Sequence, residues 1–353
     1  MNSTQIPAIV GIGSTEMGLL SLGLSGRSRR PTKPHTLQWN HTTYLTGAGV
    51  ERYTRPIKER LDFARLADGP EARAMTYTSL GTLLGAGQHT VSLLIGLPVA
   101  LMADRLQARE TLKTLRAWLV GHHQFSLDGQ EVELLIEQVR ILAQPAGTFF
   151  AWGFDDQGQW VQSKEELNAL IGICDIGFNT VDLFGVQGGE VLRDYTAGDT
   201  AGVRRAAELL IQQVETYQVQ LSHHEADAYL QASRPVLSCA AGEIDLQMAV
   251  SQAIDVAAGQ VIALLNERWE QAGRFRYMLF TGGGALLFKA QLEKAYSRGL
   301  VLPEAVSANA LGLARYARRI FKDAEVVIGL DPGYGGFKAV SLGNSSLPAS
   351  ASR

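Results

Sequence analysis

Two stretches of the chain share one short pattern, and this repetition restricts the fold more than any other feature. Residues 328–340 read IGLDPGYGGFKAV, and residues 171–184 read IGICDIGFNTVDLF. Each consists of an apolar strand, an aspartate, one further residue, a glycine, a short turn and a second apolar strand. Because an internal echo is typical of duplicated structure, we expect two related half-domains that each present a hairpin turn to phosphate.

The residues at these turns have the chemistry of a phosphate site. Glycines between strands allow backbone N–H groups to approach phosphate oxygens, since no Cβ intervenes. Asp331 and Asp175 each end a strand, and we expect their carboxylates to face one cleft and to hold a hydrated Mg²⁺. Lys338 supplies a point charge for the β- or γ-phosphate. A third turn, Thr281-Gly282-Gly283-Gly284, leads into a predicted helix whose N-terminal end suits the phosphate or sugar edge of a nucleotide.

Each turn alone is a weak signal, because an Asp-x-Gly between strands is more often a plain turn. A triple glycine before a helix is likewise usually a place of tight backbone packing. Three such turns in one chain favour the binding interpretation. The other common nucleotide motifs are missing from the sequence: it has no G-x-x-x-x-G-K-[ST], and GIGSTEMG lacks the spacing G-x-G-x-x-G. The sequence therefore predicts neither a P-loop nor a Rossmann dinucleotide fold.

Size and composition predict a soluble protein of two domains. A single core stops growing at about 250 to 300 residues, whereas this chain has 353 residues, 46% hydrophobic and 19% charged. The net charge of -3 disfavours a dedicated nucleic-acid binder. The two cysteines, Cys174 and Cys239, are too few for a disulfide framework, and we expect a cytoplasmic location. No segment approaches the roughly 18 consecutive apolar residues of a membrane helix, so we expect no membrane association.

Hydrophobic periodicity predicts alternating strands and helices, which indicates an α/β fold. The predicted elements are a strand at 6–13, a strand and turn at 43–50, a helix within 70–87, a strand within 89–97, a hairpin around Asp128-Gly129, strands at 169–177 and 180–186, helices at about 200–218 and 243–271, a strand leading into a helix at 277–287, and a helix at 307–321. Glycine, aspartate and glutamine cluster at 153–160, which suggests a domain boundary there.

Five segments together resemble the actin-like ATPases. GLDPGYGGFKAV resembles their first phosphate motif, ICDIGFNTVDL their second, and LFTGGGALL their adenosine motif. SANALGLARYA is similar to the helix that connects back between their two domains, and LLIGLPVALM to a strand and turn of the ParM-like and archaeal actin-like proteins. The resemblance covers most of the chain. It implies a duplicated, ribonuclease H-like two-domain α/β fold with a nucleotide in the cleft between the domains.

The order of the motifs departs from that family. In the family the first phosphate hairpin begins the chain, whereas here it follows the connecting helix. Placing residues 322–353 before residues 1–321 restores the family order, and we therefore expect a circular permutation. Such cuts are tolerated at exposed loops. In this arrangement residues 1–153 plus 305–353 form domain I, and residues 154–304 form domain II.

The resemblance assigns roles to individual residues of the three turns. Those implied in nucleotide binding are Asp331, Gly333, Tyr334, Gly335, Gly336 and Lys338 in the first turn, Gly177, Phe178, Asn179 and Thr180 in the second, and Gly282, Gly283 and Gly284 in the third. Asp331 and Asp175 are expected to hold Mg²⁺ beside ATP or GTP. Asp175 and Gln144 are the expected catalytic residues, which position the attacking water. A polar residue that caps a strand end is an equally good interpretation of Gln144.

The function that the resemblance implies is an ATPase that assembles into filaments. Subunits would join head to tail through a contact that does not close, with ATP hydrolysis weakening it. A ParM-like role in plasmid or DNA segregation follows by analogy, with other copies of the chain and a DNA-bound adaptor protein as partners and no direct contact with nucleic acid. Two alternatives keep the fold: a small-molecule kinase, or a non-polymerising binding protein switched by ATP.

Several other residues invite functional hypotheses that we consider weaker. His122-His123 and His223-His224-Glu225 are expected on the solvated surface rather than in a metal site. Cys174 is expected in the core rather than as a nucleophile. The basic run at 27–33 is expected in an exposed loop.

Overall fold

The protein is an α/β chain that divides into two compact units. The computed structural model describes residues 1–15, 32–55, 57, 69–103, 105–200, 202–240, 242–270 and 272–343. The first unit comprises Met1–Leu97, Leu101–Val161 and Asn309–Arg353, and the second comprises Pro98–Ala100 and Gln162–Ala308. The predicted basic loop lies largely in 16–31, outside the described residues.

Strands and helices alternate along most of the chain. The strands, in chain order, are β1 (Asn2–Pro7), β2 (Val10–Ile12), β3 (His35–Trp39), β4 (Thr42–Thr46), β5 (Gly87–Leu97), β6 (Gly121–Leu127), β7 (Gln130–Ala143), β8 (Ile171–Ile176), β9 (Val181–Gln187), β10 (Glu190–Asp199), β11 (Val236–Cys239), β12 (Gly242–Asp245), β13 (Tyr277–Thr281), β14 (Gly299–Val301), β15 (Val326–Pro332) and β16 (Gly336–Gly343). The α-helices are α1 (Pro70–Leu84), α2 (Val99–Ala103), α3 (Arg105–Leu119), α4 (Gln144–Gly153), α5 (Lys164–Asn168), α6 (Arg204–Glu215), α7 (His223–Gln231), α8 (Gln247–Arg268), α9 (Gly283–Leu287), α10 (Lys289–Ala295) and α11 (Ala308–Ile320).

The first unit is built on one mixed sheet with the order β1-β16-β15-β5-β7-β6-β3-β4-β2. The hairpin β15–β16 is antiparallel and places Asp331 opposite Lys338. The strand β1 adds to its outer side, with Asn2 opposite Ser341. The strands β15, β5 and β7 run parallel to one another. As a result, strands from both ends of the chain lie side by side in this sheet.

The sheet of the first unit has a core on each face. Neighbouring residues of a strand point to opposite faces, so Leu93 of β5 packs in one cluster and Leu94 in another. The cluster around Leu93 is shared with α1 and α3, whereas the cluster around Leu94 is shared with α11. Burying these side chains stabilises the unit by about 1.5 to 3 kcal/mol for each large aliphatic residue.

The second unit contains a five-stranded sheet with the order β10-β9-β8-β13-β14. The strand β8 pairs antiparallel with β9 and parallel with β13. Residues of α6, α7 and α8 pack with this sheet in one core, and β11 and β12 form a separate two-stranded sheet. The helix α8, Gln247–Arg268, is long and apolar enough by length and composition to cross a membrane, with a mean hydropathy of 1.6 and 39% of that window buried inside the unit.

Most predicted elements of regular period are confirmed. The helix predicted within 70–87 is α1, and the hairpin around Asp128-Gly129 joins β6 to β7. Asp128 and Gly129 have φ values of 53° and 81°, which is the backbone geometry of a two-residue hairpin turn. The single strand predicted at 6–13 is wrong, because β1 ends at Pro7 and the chain enters β2 at Val10. The helix predicted from 243 begins only at Gln247, since residues 242–245 form β12.

Candidate functional site

The first turn joins β15 to β16 as a tight hairpin. The Gly333 N–H donates to the Gly336 carbonyl oxygen at 3.1 Å, and the Gly336 N–H donates back to the Gly333 carbonyl at 3.3 Å. Tyr334 and Gly335 are left at the tip. A Cβ at Gly333 would lie 3.3 Å from the Lys338 Nζ and 3.1 Å from the Gly336 oxygen, so a side chain here would crowd both the turn and the lysine.

A buried carboxylate lies at the base of this turn. Asp331 is only 2% exposed, and its Oδ2 lies 3.5 Å from the Lys338 Nζ. Its Oδ1 accepts a hydrogen bond from the Gln144 Nε2. A buried charge is tolerated only when it is paired and hydrogen-bonded, and these two partners supply both conditions. The first turn therefore gathers a carboxylate, a cation and an amide.

Gln144 reaches this position because it opens α4 directly after β7. Its Nε2 also donates to the Pro332 carbonyl oxygen at 3.2 Å, and the side chain is only 6% exposed. The glycine of the Gly-Leu-Pro turn makes room for it: a Cβ at Gly96 would lie 2.9 Å from the Gln144 Cγ. Two sequence features that looked unrelated, Gly96 and Gln144, are thus one packing arrangement.

The second turn joins β8 to β9 and is closed by the start of α6. The Gly177 N–H donates to the Thr180 carbonyl at 2.8 Å, and the Arg204 N–H donates to the Phe178 carbonyl at 2.7 Å. The segment before α6 can approach the second turn this closely only because residue 202 is a glycine: a Cβ there would lie 2.5 Å from the Gly177 oxygen. Sequence reasoning missed Gly202, because its contact is with residues more than twenty positions earlier.

Two aspartates lie opposite one another at the base of the second turn. Asp175 of β8 is paired in register with Asp182 of β9. Asp182 is only 3% exposed and accepts a hydrogen bond from the Thr180 Oγ1 at 3.4 Å. Sequence reasoning missed Asp182, although it follows Asp175 by the same seven residues that separate Asp331 from Lys338. The equivalent position carries a cation in the first turn and a carboxylate in the second.

The third turn packs directly on the second. Gly282 has a φ of 85°, and a Cβ there would lie 2.5 Å from the Asp175 Oδ1 and 2.3 Å from the Ile176 oxygen. At Gly284 a Cβ would lie 2.3 Å from the Ile176 Cγ2, whereas at Gly283 it would meet nothing within 4 Å. Gly282 and Gly284 are therefore required by packing, while Gly283 borders open space. The helix that follows, α9, has five residues, so its dipole is smaller than that of a long helix.

Each unit thus brings some of the predicted residues together. Gln144, Asp331 and Lys338 meet in the first unit. Asp175 and the second and third turns meet in the second unit. The amide oxygen Oδ1 of Asn179, in the second turn, is buried without a hydrogen-bond partner among the described residues, which leaves an acceptor at this turn.

Cys174 and the pair His122-His123 were the weaker functional candidates, and their surroundings are as follows. Cys174 is fully buried, and burial raises its pKa well above the usual thiol value. His122 is exposed as expected, but the expectation of a solvated His123 is wrong. The His123 Nε2 donates to the Leu119 carbonyl at 2.7 Å, and the Tyr77 hydroxyl lies 3.0 Å from its Nδ1. Within the described part of the chain, no group of three His, Cys, Asp or Glu side chains could hold a metal ion.

Two family models match the chain. Residues 2–147 match the N-terminal domain of actin like proteins, and residues 173–294 match the C-terminal domain of the archaeal actin homologue MreB-like family. The chain belongs to the actin-like proteins. The hairpin β15–β16 lies outside both matched ranges.

Solved structures share the fold of this actin-like chain at low sequence identity. The archaeal actin homolog Ta0583, in complex with ADP, is 16% identical with a TM-score of 0.67, and the match covers 91% of this chain and 96% of that one. Apo psk41 ParM is 15% identical with a TM-score of 0.65, covering 90% and 91%. A non-polymerisable quadruple mutant of pCBH ParM is 15% identical with a TM-score of 0.67, covering 90% and 97%. No curated protein sequence matches the chain.

Proposed function

We propose that this actin-like protein is a cytoplasmic ATPase that assembles into filaments and hydrolyses ATP as it does so. The observation that carries the proposal is the buried grouping of Gln144, Asp331 and Lys338 at the first turn. Two relatives add support: Ta0583 has been solved with ADP, and a mutant of pCBH ParM is described as non-polymerisable. By the same analogy we propose a role in plasmid or DNA segregation, with a DNA-bound adaptor as partner.

We propose that the first and second turns each bind phosphate oxygens of a nucleoside triphosphate. In the first turn the N–H groups around Tyr334 and Gly335 and the Lys338 ammonium would contact phosphate oxygens. In the second turn Phe178, Asn179 and Thr180 would contribute in the same way. Gly282 brings the third turn close to Asp175, and Gly284 brings it close to Ile176. Gly283 would border the sugar.

The carboxylates fit a magnesium ion. Mg²⁺ prefers one or two carboxylates together with waters and phosphate oxygens. Asp175 lies opposite the buried Asp182, at the register position where the first turn has Lys338 opposite Asp331. Asp175 would hold the ion with Asp182 nearby, and Asp331 is the corresponding carboxylate of the first turn. When bound, Mg²⁺ neutralises charge that develops on the phosphate oxygens.

Hydrolysis needs a water held in line with the γ-phosphate, because phosphoryl transfer asks mainly for positioning and charge stabilisation. Gln144 is suited to orient that water. Its Nε2 is fixed by the Asp331 carboxylate and the Pro332 carbonyl, so the plane of the amide is set by the protein. Asp175 would contribute by ordering the water or the ion.

We also propose that the strand order results from a circular permutation. In the family order that the motifs imply, β15 and β16 would precede β1. The sheet supports this reading, because β16 pairs with β15 on one side and with β1 on the other. The matched N-terminal family model likewise starts at residue 2 and excludes this hairpin.

The test is assembly and phosphate release measured in parallel. Wild-type protein with Mg²⁺ is incubated with ATP, with ADP or without nucleotide, then followed by light scattering and sedimentation. We expect a large pelleted fraction with ATP and a small one with ADP. We also expect phosphate release without an added acceptor, whereas a small-molecule kinase would require an acceptor. Nucleotide-independent behaviour in every assay would contradict the proposal.

A matched pair of variants connects the activity to the first turn. Asp331→Asn removes the buried charge between Lys338 and Gln144, and we expect ATP affinity to fall by about 10- to 100-fold, the worth of one charge-assisted interaction. Asp323→Asn makes the same change at an exposed site in the loop before β15 and should leave affinity unchanged. Circular dichroism of both variants separates lost binding from lost folding.

A further inference from the structure

The outer surface of α3 carries a row of exposed basic side chains. Three exposed residues occur at helical spacing on this surface: Arg109, Lys113 and Arg116. The opposite side of the helix packs on the core through Leu112, Leu115 and Leu119. None of the three basic residues forms an ion pair with another described residue. Glu110 is the acidic residue on the same exposed surface. We call Arg109, Lys113 and Arg116 the basic row.

The outward face of the sheet in the same unit is polar and acidic. Residues of four neighbouring strands lie in register across it: Glu131 of β7, Ser126 of β6, Gln38 of β3 and Thr43 of β4. Glu133 follows Glu131 by two positions on β7 and therefore lies on the same face. It accepts hydrogen bonds from Gln88 at 2.7 Å and from Gln124 at 3.4 Å. We call the surface formed by Gln38, Thr43, Gln124, Glu131 and Glu133 the acidic face.

A shallow depression opens on the acidic face. The ladder between β3 and β6 ends after two residue pairs, the last being Gln38 with Ser126. The strands then separate and leave an open cavity of about 520 Å³. Its lining includes Glu131, His41 and the amides of Gln38, Asn40 and Gln124, and the described lining residues include no lysine or arginine. The depression therefore presents negative charge and hydrogen-bond acceptors.

The basic row and the acidic face lie on opposite sides of one sheet. Val132 and Leu134 of β7 point into the core that α3 covers. Glu131 and Glu133 alternate with them and must point the other way. α3 packs on that core through Leu115 and Leu119, so its basic row faces away from the acidic face. Two complementary surfaces on opposite sides of one unit can join copies in an open series, because each contact leaves both surfaces free at the ends.

We propose that the acidic face of one copy receives the basic row of α3 from the next copy, and that this is a contact of the filament. The inference rests on the proposed function, and the partner it names is a second copy of this chain. The dimensions match: the four helical steps from Arg109 to Lys113 rise about 6 Å, and Glu131 and Glu133 are about 7 Å apart along a strand. Two cation–carboxylate pairs can therefore form at once.

The charged contact between two copies contributes more to the specificity and the rate of their association than to the affinity. Single exposed ion pairs contribute little to stability, whereas complementary charge steers two surfaces together and fixes their register. It follows that assembly should weaken as salt screens the charges over about 10 Å at 0.1 M ionic strength. Apolar contacts elsewhere on the subunit would carry the remainder of the assembly energy.

Charge reversal on each surface, followed by their combination, tests the contact. The first variant carries Arg109→Glu and Lys113→Glu, the second carries Glu131→Lys and Glu133→Lys, and the third carries all four changes. We expect each double variant to raise the critical concentration for ATP-dependent assembly by about tenfold at low salt. The quadruple variant should return it to within about threefold of wild type, because the charges again match across the contact. Its net charge equals that of wild type, which controls for overall charge.

The outcomes separate this inference from the proposed function. If wild-type protein does not assemble with ATP, the proposed function fails and this contact fails with it. If wild type assembles but the double variants do so normally, or the quadruple variant stays defective, only the contact is wrong. Binding of wild type to a random-sequence DNA duplex that is lost in the α3 variant alone, with the acidic-face variant assembling normally, would assign the basic row to nucleic acid instead. Thermal melts of all variants confirm folding.

Discussion

Gln144 is one residue at which binding and hydrolysis can be separated. Its amide is fixed by Asp331 and the Pro332 carbonyl, and under the proposed function it positions the attacking water rather than binding the nucleotide. For Gln144→Ala we expect the rate of phosphate release to fall by about 10- to 100-fold, since a mispositioned reactant costs that much, while ADP affinity changes less than threefold. Single-turnover hydrolysis and ADP titration measure the two quantities.

The control for this variant is Gln157→Ala, an exposed glutamine in a surface turn of the same unit. It should leave both measurements unchanged. A Gln144→Ala protein that hydrolyses ATP at the wild-type rate would show that the residue only caps the end of β7. Loss of ADP binding in parallel with loss of turnover would instead assign Gln144 to the phosphate cradle.

His123 is a second residue with a measurable consequence, in this case for stability. Burial lowers the pKa of His123 below its usual 6.5, so the unfolded chain binds a proton more readily than the folded one. The stability that depends on neutral His123 is present above pH 6.5 and is lost as the pH falls through the lower folded value. We expect the free energy of unfolding of wild type to drop between pH 7 and pH 5 by more than that of His123→Gln.

The exposed neighbour His122 provides the comparison for this pH dependence. His122→Gln removes an imidazole on the same strand without touching the contacts with Tyr77 and Leu119. Urea unfolding at several pH values should therefore give His122→Gln the same pH slope as wild type. Equal slopes for all three proteins would mean that His123 titrates in the folded state as freely as in the unfolded one.

At the scale of elements, α4, α11 and β15 pack through glycines. A Cβ at Gly312 of α11 would lie 1.7 Å from the Gly147 carbonyl oxygen of α4, and one at Gly329 of β15 would lie 2.0 Å from the Ala310 oxygen. These contacts are with backbone, which cannot rotate away. The Thr148 hydroxyl also donates to the Asn309 Oδ1 at 2.7 Å inside the same contact. The helices can approach this closely only because the side chains are absent.

Replacement of one of these glycines tests the packing. We expect Gly312→Ala to lower the free energy of unfolding by about 1 to 3 kcal/mol or more, as overpacking does, despite the better helix propensity of alanine. Gly259→Ala in α8 makes the same change where a Cβ would meet nothing within 4 Å, and it should stabilise by about 0.5 to 1 kcal/mol. Chemical denaturation compares the two; a stabilising Gly312→Ala would disprove the close contact.

The elements also show what sequence could and could not reveal. Strands and helices with a clear period, such as β5 and α1, were predicted because their burial follows directly from the spacing of apolar residues. The strand β10 was missed, since its residues are mostly exposed or half-buried and its sequence resembles a loop. Gly202 and the packing role of Gly96 could not be recognised, because each of these glycines is required by a contact with a distant segment. Asp182 was within reach of sequence, through the spacing it shares with Lys338.

At the scale of the whole molecule, the proposed permutation predicts that the chain can be rearranged. The strands β16 and β1 are antiparallel neighbours with Asn2 opposite Ser341, so Gly343 can be joined to Asn2 by an inserted Asn-Gly. Together with Leu342 and Gly343 the insert forms a four-residue hairpin loop between the paired residues Ser341 and Asn2. New ends can be opened between the exposed residues Lys322 and Asp323 in the loop that precedes β15. We expect this rearranged chain to fold with the same secondary structure and to keep ATP-dependent assembly. Each strand keeps its neighbours, and only one loop is opened while another is closed.

A second rearranged chain provides the comparison. It carries the same Gly343-to-Asn2 turn but opens inside β5, between Leu93 and Leu94, whose side chains are fully buried. That cut exposes backbone groups in the middle of the sheet and should prevent folding, because each unsatisfied buried group costs about 1 to 3 kcal/mol. Circular dichroism and denaturation midpoints of the two chains decide the question. If the chain opened at Lys322 folds no better than the one opened in β5, the hairpin β15–β16 depends on its present connections, and the permutation loses its structural basis.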